Sequence, residues 1–204
     1  MRPGGTIQVM KTHKANKTAG LRTLQIGATI ALLYCAFAAQ SQTDGGEFIQ
    51  LKTILDEERG HCLDIAGAGA NIDTLVPLQS HTCKRHFRDR SDELFIMNYP
   101  NKGNVYNAAS EVCLDVVDHV ELGTLYVRPC SDSPTQLFEF SGDGELKTAG
   151  MDTALCVTTA PSASHPAVRR GRTPEPGVTN VGRLVLLRPC DEVPDELKLW
   201  EFRS

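Results

Sequence analysis

No stretch of this 204-residue chain keeps a helical period for longer than about one turn, so the expectation is an all-β fold. No Asp or Glu occurs before Thr43, although Arg2, Lys11, Lys14, Lys17 and Arg22 do. An uncharged run, IGATIALLYCAFAA (Ile26 to Ala39), follows, and it falls short of the roughly 20 apolar residues a spanning helix needs. Small residues at Ala36 and Ala38, or Ala39 and Ser41, suit signal peptidase, so residues 1–41 read as a secretory signal peptide, with an uncleaved signal-anchor as the alternative. Motifs of catalysis are missing too: no G-x-S-x-G elbow and no His-Glu-x-x-His helix occurs, and no enzymatic activity is expected. The only N-x-Ser/Thr sequon, at Asn16, falls in the leader.

Setting the leader aside changes the charge. It takes five of the 21 basic residues and none of the 25 acidic ones, which leaves 16 against 25, a net −9. An acidic chain repels phosphate backbones, which argues against nucleic acid and anionic membranes as partners. No membrane insertion is expected unless the leader stays on as an anchor. About 160 residues remain, enough for one domain with one core. Six of the seven cysteines survive; Cys35 leaves with the leader. An even number in an exported chain favours disulfides, although six cysteines allow fifteen pairings.

Internal repetition narrows them. HCLDIAG, VCLDVVD and LCVTTAP carry Cys62, Cys113 and Cys156. Each is followed by an apolar stretch ending in a second cysteine: TLVPLQSHTC at Cys83, TLYVRPC at Cys130 and LVLLRPC at Cys190. After a polar gap comes a Leu-aromatic step: ELF at Phe95, QLF at Phe138 and KLW at Trp200. Three degenerate copies account for the chain beyond the leader, at about 47–97, 98–140 and 141–204. Each reads as short strands (EFIQLKTIL, CLDV, LYVRP) separated by turn clusters such as NYPNKGN and SGDGE. Three units that cannot bury their own apolar faces suggest a closed pseudo-threefold barrel, which also removes exposed edges. The repeat logic pairs Cys62 with Cys83, Cys113 with Cys130 and Cys156 with Cys190.

The third copy carries an insertion. Its cysteines stand 34 apart, against 21 and 17 in the others. PSASHPAVRRGRTPEPGVTNVG and the following Arg183 supply four prolines and four arginines, and the segment 161–182 reads as a projecting loop. The mixed-sign run KRHFRDRSDE (Lys84 to Glu93) reads as a solvated loop. His61, Cys62, His81, Cys83 and His86 are ligand types that zinc accepts, but the other repeats have the cysteines without the histidines, so neither metal nor cofactor is expected.

The threefold C-L-D … C … Q-x-W pattern over about Phe48 to Phe202 resembles the ricin B-type lectin domain, a β-trefoil that binds sugars. The resemblance implies one shallow site per repeat. There the Asp of CLD accepts two sugar hydroxyls, an aromatic two before the second cysteine stacks on the ring, and a polar residue four before it helps. An Asn before the Gln of Q-x-W also bonds the sugar, while that Gln steadies the Asp. In the first repeat the resemblance assigns Asp64, Gln79, His81, Asp92 and Glu93. Glu93 in place of Gln would repel Asp64 unless a proton or a cation intervenes. The second repeat keeps Asp115 and Gln136, with Tyr126 in the polar slot, Thr135 for the Asn and Arg128 where the stacking ring belongs. Arg128 is free to pair with Asp115 and fill the pocket, and Tyr126 or His119 to supply a ring from another direction. The third, with Thr158, Leu186, Arg188, Leu197 and Lys198, reads as structural, and Phe95, Phe138 and Trp200 read as core. The expected function is a secreted, non-catalytic, lectin-like protein for glycans, of galactose type by the resemblance, with its best site in the first repeat. The alternative is a trefoil that has lost sugar binding and acts as a protein-interaction or inhibitor-like module.

Overall fold

A computed structural model describes residues 45–69, 71–117, 123–167 and 179–204. The leader, His119 and the middle of the Pro/Arg-rich segment, with Arg169, Arg170 and Arg172, lie outside them. The first repeat contributes β1 (Glu47–Leu51), β2 (His61–Asp64), a small ribbon of β3 (Gly67–Ala68) and β4 (Asn71–Ile72), then β5 (Gln79–Thr82) and β6 (Leu94–Met97). The second contributes β7 (Val105–Asn107), β8 (Val112–Val116), β9 (Leu125–Pro129) and β10 (Phe138–Phe140). The third contributes β11 (Leu146–Thr148), β12 (Leu155–Thr159), the short β13 (His165–Pro166), β14 (Val181–Pro189), the one-turn helix α1 (Asp195–Lys198) and β15 (Trp200–Arg203). No helix among the described residues is long and apolar enough to cross a membrane.

The strands make a β-trefoil. β1 pairs with β6 and, at the other end of the chain, with β15, while β6 pairs with β7 and β10 with β11. Backbone bonds close the two remaining seams. Phe138 N donates to Gly103 O at 2.8 Å and Trp200 N to Gly144 O at 2.7 Å, beside a bridge between Glu145 and Leu199. A closed barrel leaves no strand edge to solvent. The second and third strands of each copy form a hairpin with one shared register: Cys62 faces His81, Cys113 faces Arg128 and Cys156 faces Arg188. That register brings the second cysteine of each copy beside the first. The disulfides are Cys62–Cys83, Cys113–Cys130 and Cys156–Cys190, with Cα separations of 4.9, 5.0 and 5.0 Å.

The aromatics of the Leu-aromatic step point inward: Phe95, Phe138 and Trp200 are at most 2% exposed, and Trp200 Nε1 donates to Val157 O at 2.8 Å. Strand alternation then decides what faces out. On β8 and β9, Leu114, Val116, Leu125 and Val127 are buried, so Asp115, Tyr126 and Arg128 take the outer face.

The insertion departs from the loop expected of it. β13 pairs with β14, and β14 starts at Val181, so the segment's C-terminal end is strand. Arg183 is therefore a buried strand residue rather than a loop cation. Its guanidinium pairs with Asp56 at 2.8 Å and donates to Ala160 O and Ser164 Oγ.

Candidate functional site

The second repeat holds an open carboxylate. Asp115 on β8 sits directly across from Tyr126 on β9. A short 3-10 turn over Pro134–Gln136, entered through Pro134 and capped by Ser133, brings Gln136 beneath them. Gln136 is 1% exposed and fully engaged: Nε2 donates to Asp115 Oδ2 at 2.8 Å and to Pro129 O at 3.1 Å, while Oε1 accepts Ser131 N at 2.8 Å. Among the described residues Gln136 makes the only hydrogen bond to the Asp115 carboxylate, whose residue is half-buried. Arg128 does not close it. Its guanidinium lies 5.2 Å from the Tyr126 ring centroid and donates to Thr74 O and Val127 O, and no ion pair joins it to Asp115 among the described residues.

The same positions in the first repeat form a closed ion cluster. Glu93 does part of what Gln136 does, since its Oε2 accepts the backbone N–H that follows the second cysteine, Lys84 N, at 2.7 Å. It is not an amide, however, and it meets Asp64 and Asp92 in a space from which water is excluded. Asp64, Asp92 and Glu93 are each at most 1% exposed. The cation that such a grouping demands is Lys84, itself 3% exposed, whose ammonium lies 2.6 Å from Asp64 Oδ2 and 3.7 Å from Glu93 Oε1 and donates to Asp92 Oδ2. Gln79 Nε2 takes the other Asp64 oxygen at 2.9 Å. Both oxygens of Asp64 are thus bonded inside the protein. His81, 5% exposed, turns Nδ1 toward Thr82 O at 3.0 Å and Glu93 Oε1 at 3.4 Å, and offers no open ring face.

Electrostatics in the cluster follow from burial. Desolvation, reinforced by the Asp64 charge, pushes Asp92 up to about 6 and Glu93 well above the usual carboxylate range. Burial alone would depress Lys84; the surrounding carboxylates outweigh it and hold the ammonium above its ordinary value. Asp64, His81 and Glu93 do bring three metal-type ligand atoms within 4.8 Å of one another. Lys84 occupies the same oxygens, so the positive charge there is the protein's own.

In the third repeat a threonine stands where the others have the aspartate. Thr158 is buried and donates to Leu186 O at 3.1 Å, and Lys198 donates to Cys190 O at 2.6 Å. The residue that sequence reasoning missed is Lys84, read as part of a solvated loop. His86 to Asp89 are exposed, but the ends of that run, Lys84, Asp92 and Glu93, are buried. The signal was present: a carboxylate at position 93 calls for a cation, and a lysine directly follows Cys83.

Residues 101–170 match the family model of the ricin-type beta-trefoil lectin domain, a span that includes all of Asp115, Tyr126, Arg128 and Gln136. A solved β-trefoil lectin of the Vibrio vulnificus hemolysin/cytolysin, with N-acetyl-D-lactosamine bound, is 18% identical, covers 77% of this chain and 92% of that one, and superposes with a TM-score of 0.49. No curated protein matches the chain.

Proposed function

We propose, from the premise that this chain carries a ricin B-type β-trefoil domain, that it is a secreted, non-catalytic carbohydrate-binding protein whose sugar site lies in the second repeat. One observation carries the assignment: Asp115 is half-buried, with its carboxylate steadied by Gln136 and otherwise uncommitted among the described residues, beside the Tyr126 ring. Two neighbouring sugar hydroxyls suit a carboxylate with a free oxygen, and the ring suits the C–H face of a pyranose. A single open carboxylate supports binding rather than hydrolysis, which uses two carboxyls flanking the bond. Galactose-type glycans are the partners the family likeness favours. A single shallow site binds weakly, so useful avidity would come from clustered glycans or paired protein copies. Export is supported by the leader and by three disulfides, which persist in oxidising compartments.

The first repeat favours the rival reading, a trefoil that works through protein contact, because Lys84 and Gln79 have closed Asp64 to solvent. A glycan array followed by titration separates the two. Asp115→Asn should weaken binding by about 10- to 100-fold, the worth of hydrogen bonds to a charged group. Asp64→Asn should leave glycan binding intact. A wild-type protein that retains no glycan at all would leave protein contact as the function.

A further inference from the structure

Beside this site runs a groove of about 870 Å³, between the first and second repeats, that the hairpin site does not use. Its volume falls in the range of roughly 300–1,000 Å³ usual for small-ligand pockets. Thr74, Ser91, Tyr99, Tyr106, Ser110 and Glu111 supply its polar and aromatic lining over an aliphatic floor. Tyr99 and Tyr106 form a tilted pair with centroids 4.8 Å apart, and Tyr99 is 51% exposed.

The strand pairing calls for neither a ring at Tyr106 nor a charge at Glu111. Tyr106 faces Cys113 across β7 and β8; at the matching places Gln50 faces Cys62 and Lys147 faces Cys156, so the strand works without a ring. Glu111 stands just before β8 with φ of 55°, in the left-handed region. The residue just before β2 in the first repeat is Gly60, with φ of 81°, which takes that conformation without a Cβ penalty. A charged, exposed side chain is therefore held on strained backbone where glycine would serve the fold better. The hydroxyl of Ser110, buried in the groove wall, has no hydrogen-bond partner among the described residues. Burial and the nearby Glu111 carboxylate hold the Tyr106 phenol above its ordinary value.

An exposed ring packed on a half-buried one, hydroxyls and a carboxylate are together the chemistry of a sugar subsite: apolar faces for C–H groups and acceptors for hydroxyls. The groove adjoins the hairpin site, because Thr74 O in its wall accepts Arg128 Nη1 at 2.8 Å and Arg128 lies over Tyr126. We infer that the Tyr99–Tyr106 groove is an extension subsite, which takes the further sugar units of an oligosaccharide whose terminal unit sits at Asp115. Glu111 and the net −9 of the chain beyond its leader select neutral glycans over sialylated or sulfated ones.

The inference rests on the Asp115 reading, and calorimetric titration of the disulfide-bonded protein tells their failures apart. The probes are galactose and a neutral galactose-terminated tetrasaccharide, against wild type, Tyr99→Ala, Glu111→Gly and Asp115→Asn. Tyr99 is exposed and glycine suits the Glu111 backbone, so both groove variants should fold. Each should weaken the tetrasaccharide about tenfold, the worth of one aromatic contact for Tyr99 and of one hydrogen bond to a charged group for Glu111, and leave galactose unchanged. Asp115→Asn should weaken both sugars. Unchanged tetrasaccharide affinity in both groove variants overturns the subsite and leaves Asp115 standing. Tetrasaccharide binding that survives Asp115→Asn but is lost in Tyr99→Ala overturns the Asp115 site and makes the groove the primary one. No binding of either sugar by wild type overturns both.

Discussion

The first and second repeats share a strand register, a disulfide and a C-L-D triplet, yet one seals its carboxylate and the other leaves it open. Two exchanges make the difference. After the second cysteine the first repeat has Lys84 and the second Ser131; at the steadying position the first has Glu93 and the second Gln136. In both, that side chain accepts the backbone N–H of the residue after the cysteine. An amide can also donate to the Asp, so Gln136 leaves Asp115 anchored and accessible. A carboxylate cannot, and Lys84 must then be drawn in to balance three acids. The lesson is that equivalent positions in a repeat keep their backbone role while changes of charge decide whether a site stays open.

The largest effect expected from breaking this arrangement is on stability. Lys84→Met should cost about 3–5 kcal/mol in urea unfolding, because it leaves buried carboxylates without their cation. A loss below about 1 kcal/mol would mean the ammonium is not what holds the cluster.

The pH dependence should be next in size. Asp92 sits at about 6 when folded, against 3.8 for a free aspartate, so the folded state binds its proton more tightly. Its contribution is fully present below about pH 4 and is lost as pH rises through 6, with Glu93, raised further by burial, acting in the same direction. Melting temperature should therefore climb between pH 7.5 and 5, by an increment on the order of 2 kcal/mol in stability. Below that window Glu57, held down at about 2 by its Arg59 bonds, works the other way as it protonates. A melting temperature that falls steadily from pH 7.5 to 5 would contradict this.

The smallest effect, and the one that sharpens the comparison most, comes from Glu93→Gln. That variant gives the first repeat the second repeat's amide. It should keep the bond from Lys84 N and stabilise the fold by about 1 kcal/mol at pH 7.5, where a buried acid is disfavoured. At pH 5 it should change less, because burial and the Asp64 charge favour the neutral acid form of Glu93 as pH falls. Equal shifts at both pH values would show that the charge of Glu93 is not the cause.

Much of the scaffold was legible in the sequence, and the reasons are local. The cysteine pairs recur at matching places, and paired strands in one register bring such residues together. Phe95, Phe138 and Trp200 read as core from their place in the repeat, and all three are buried. Arg183 was harder: it adjoins a Pro/Arg-rich stretch and reads as its continuation, whereas β14 extends back over it and sets it against Asp56. Arg128 stands where the resemblance wants a ring, and only the packing shows that it lies over Tyr126 and reaches Thr74 O instead of Asp115.

Taken alone, the sequence determined the repeat number, the disulfide partners and the inward aromatics, because all of these depend on periodicity and on pairing within one unit. Which carboxylate stays open was decided by the tertiary structure. Lys84 lies 20 residues from Asp64 and 8 from Asp92, and its ammonium meets both only after the first hairpin has closed on the turn over Ser91–Glu93. The groove between the repeats is of the same kind, since Thr74, Tyr99 and Glu111 come from three segments that only the closed barrel brings together.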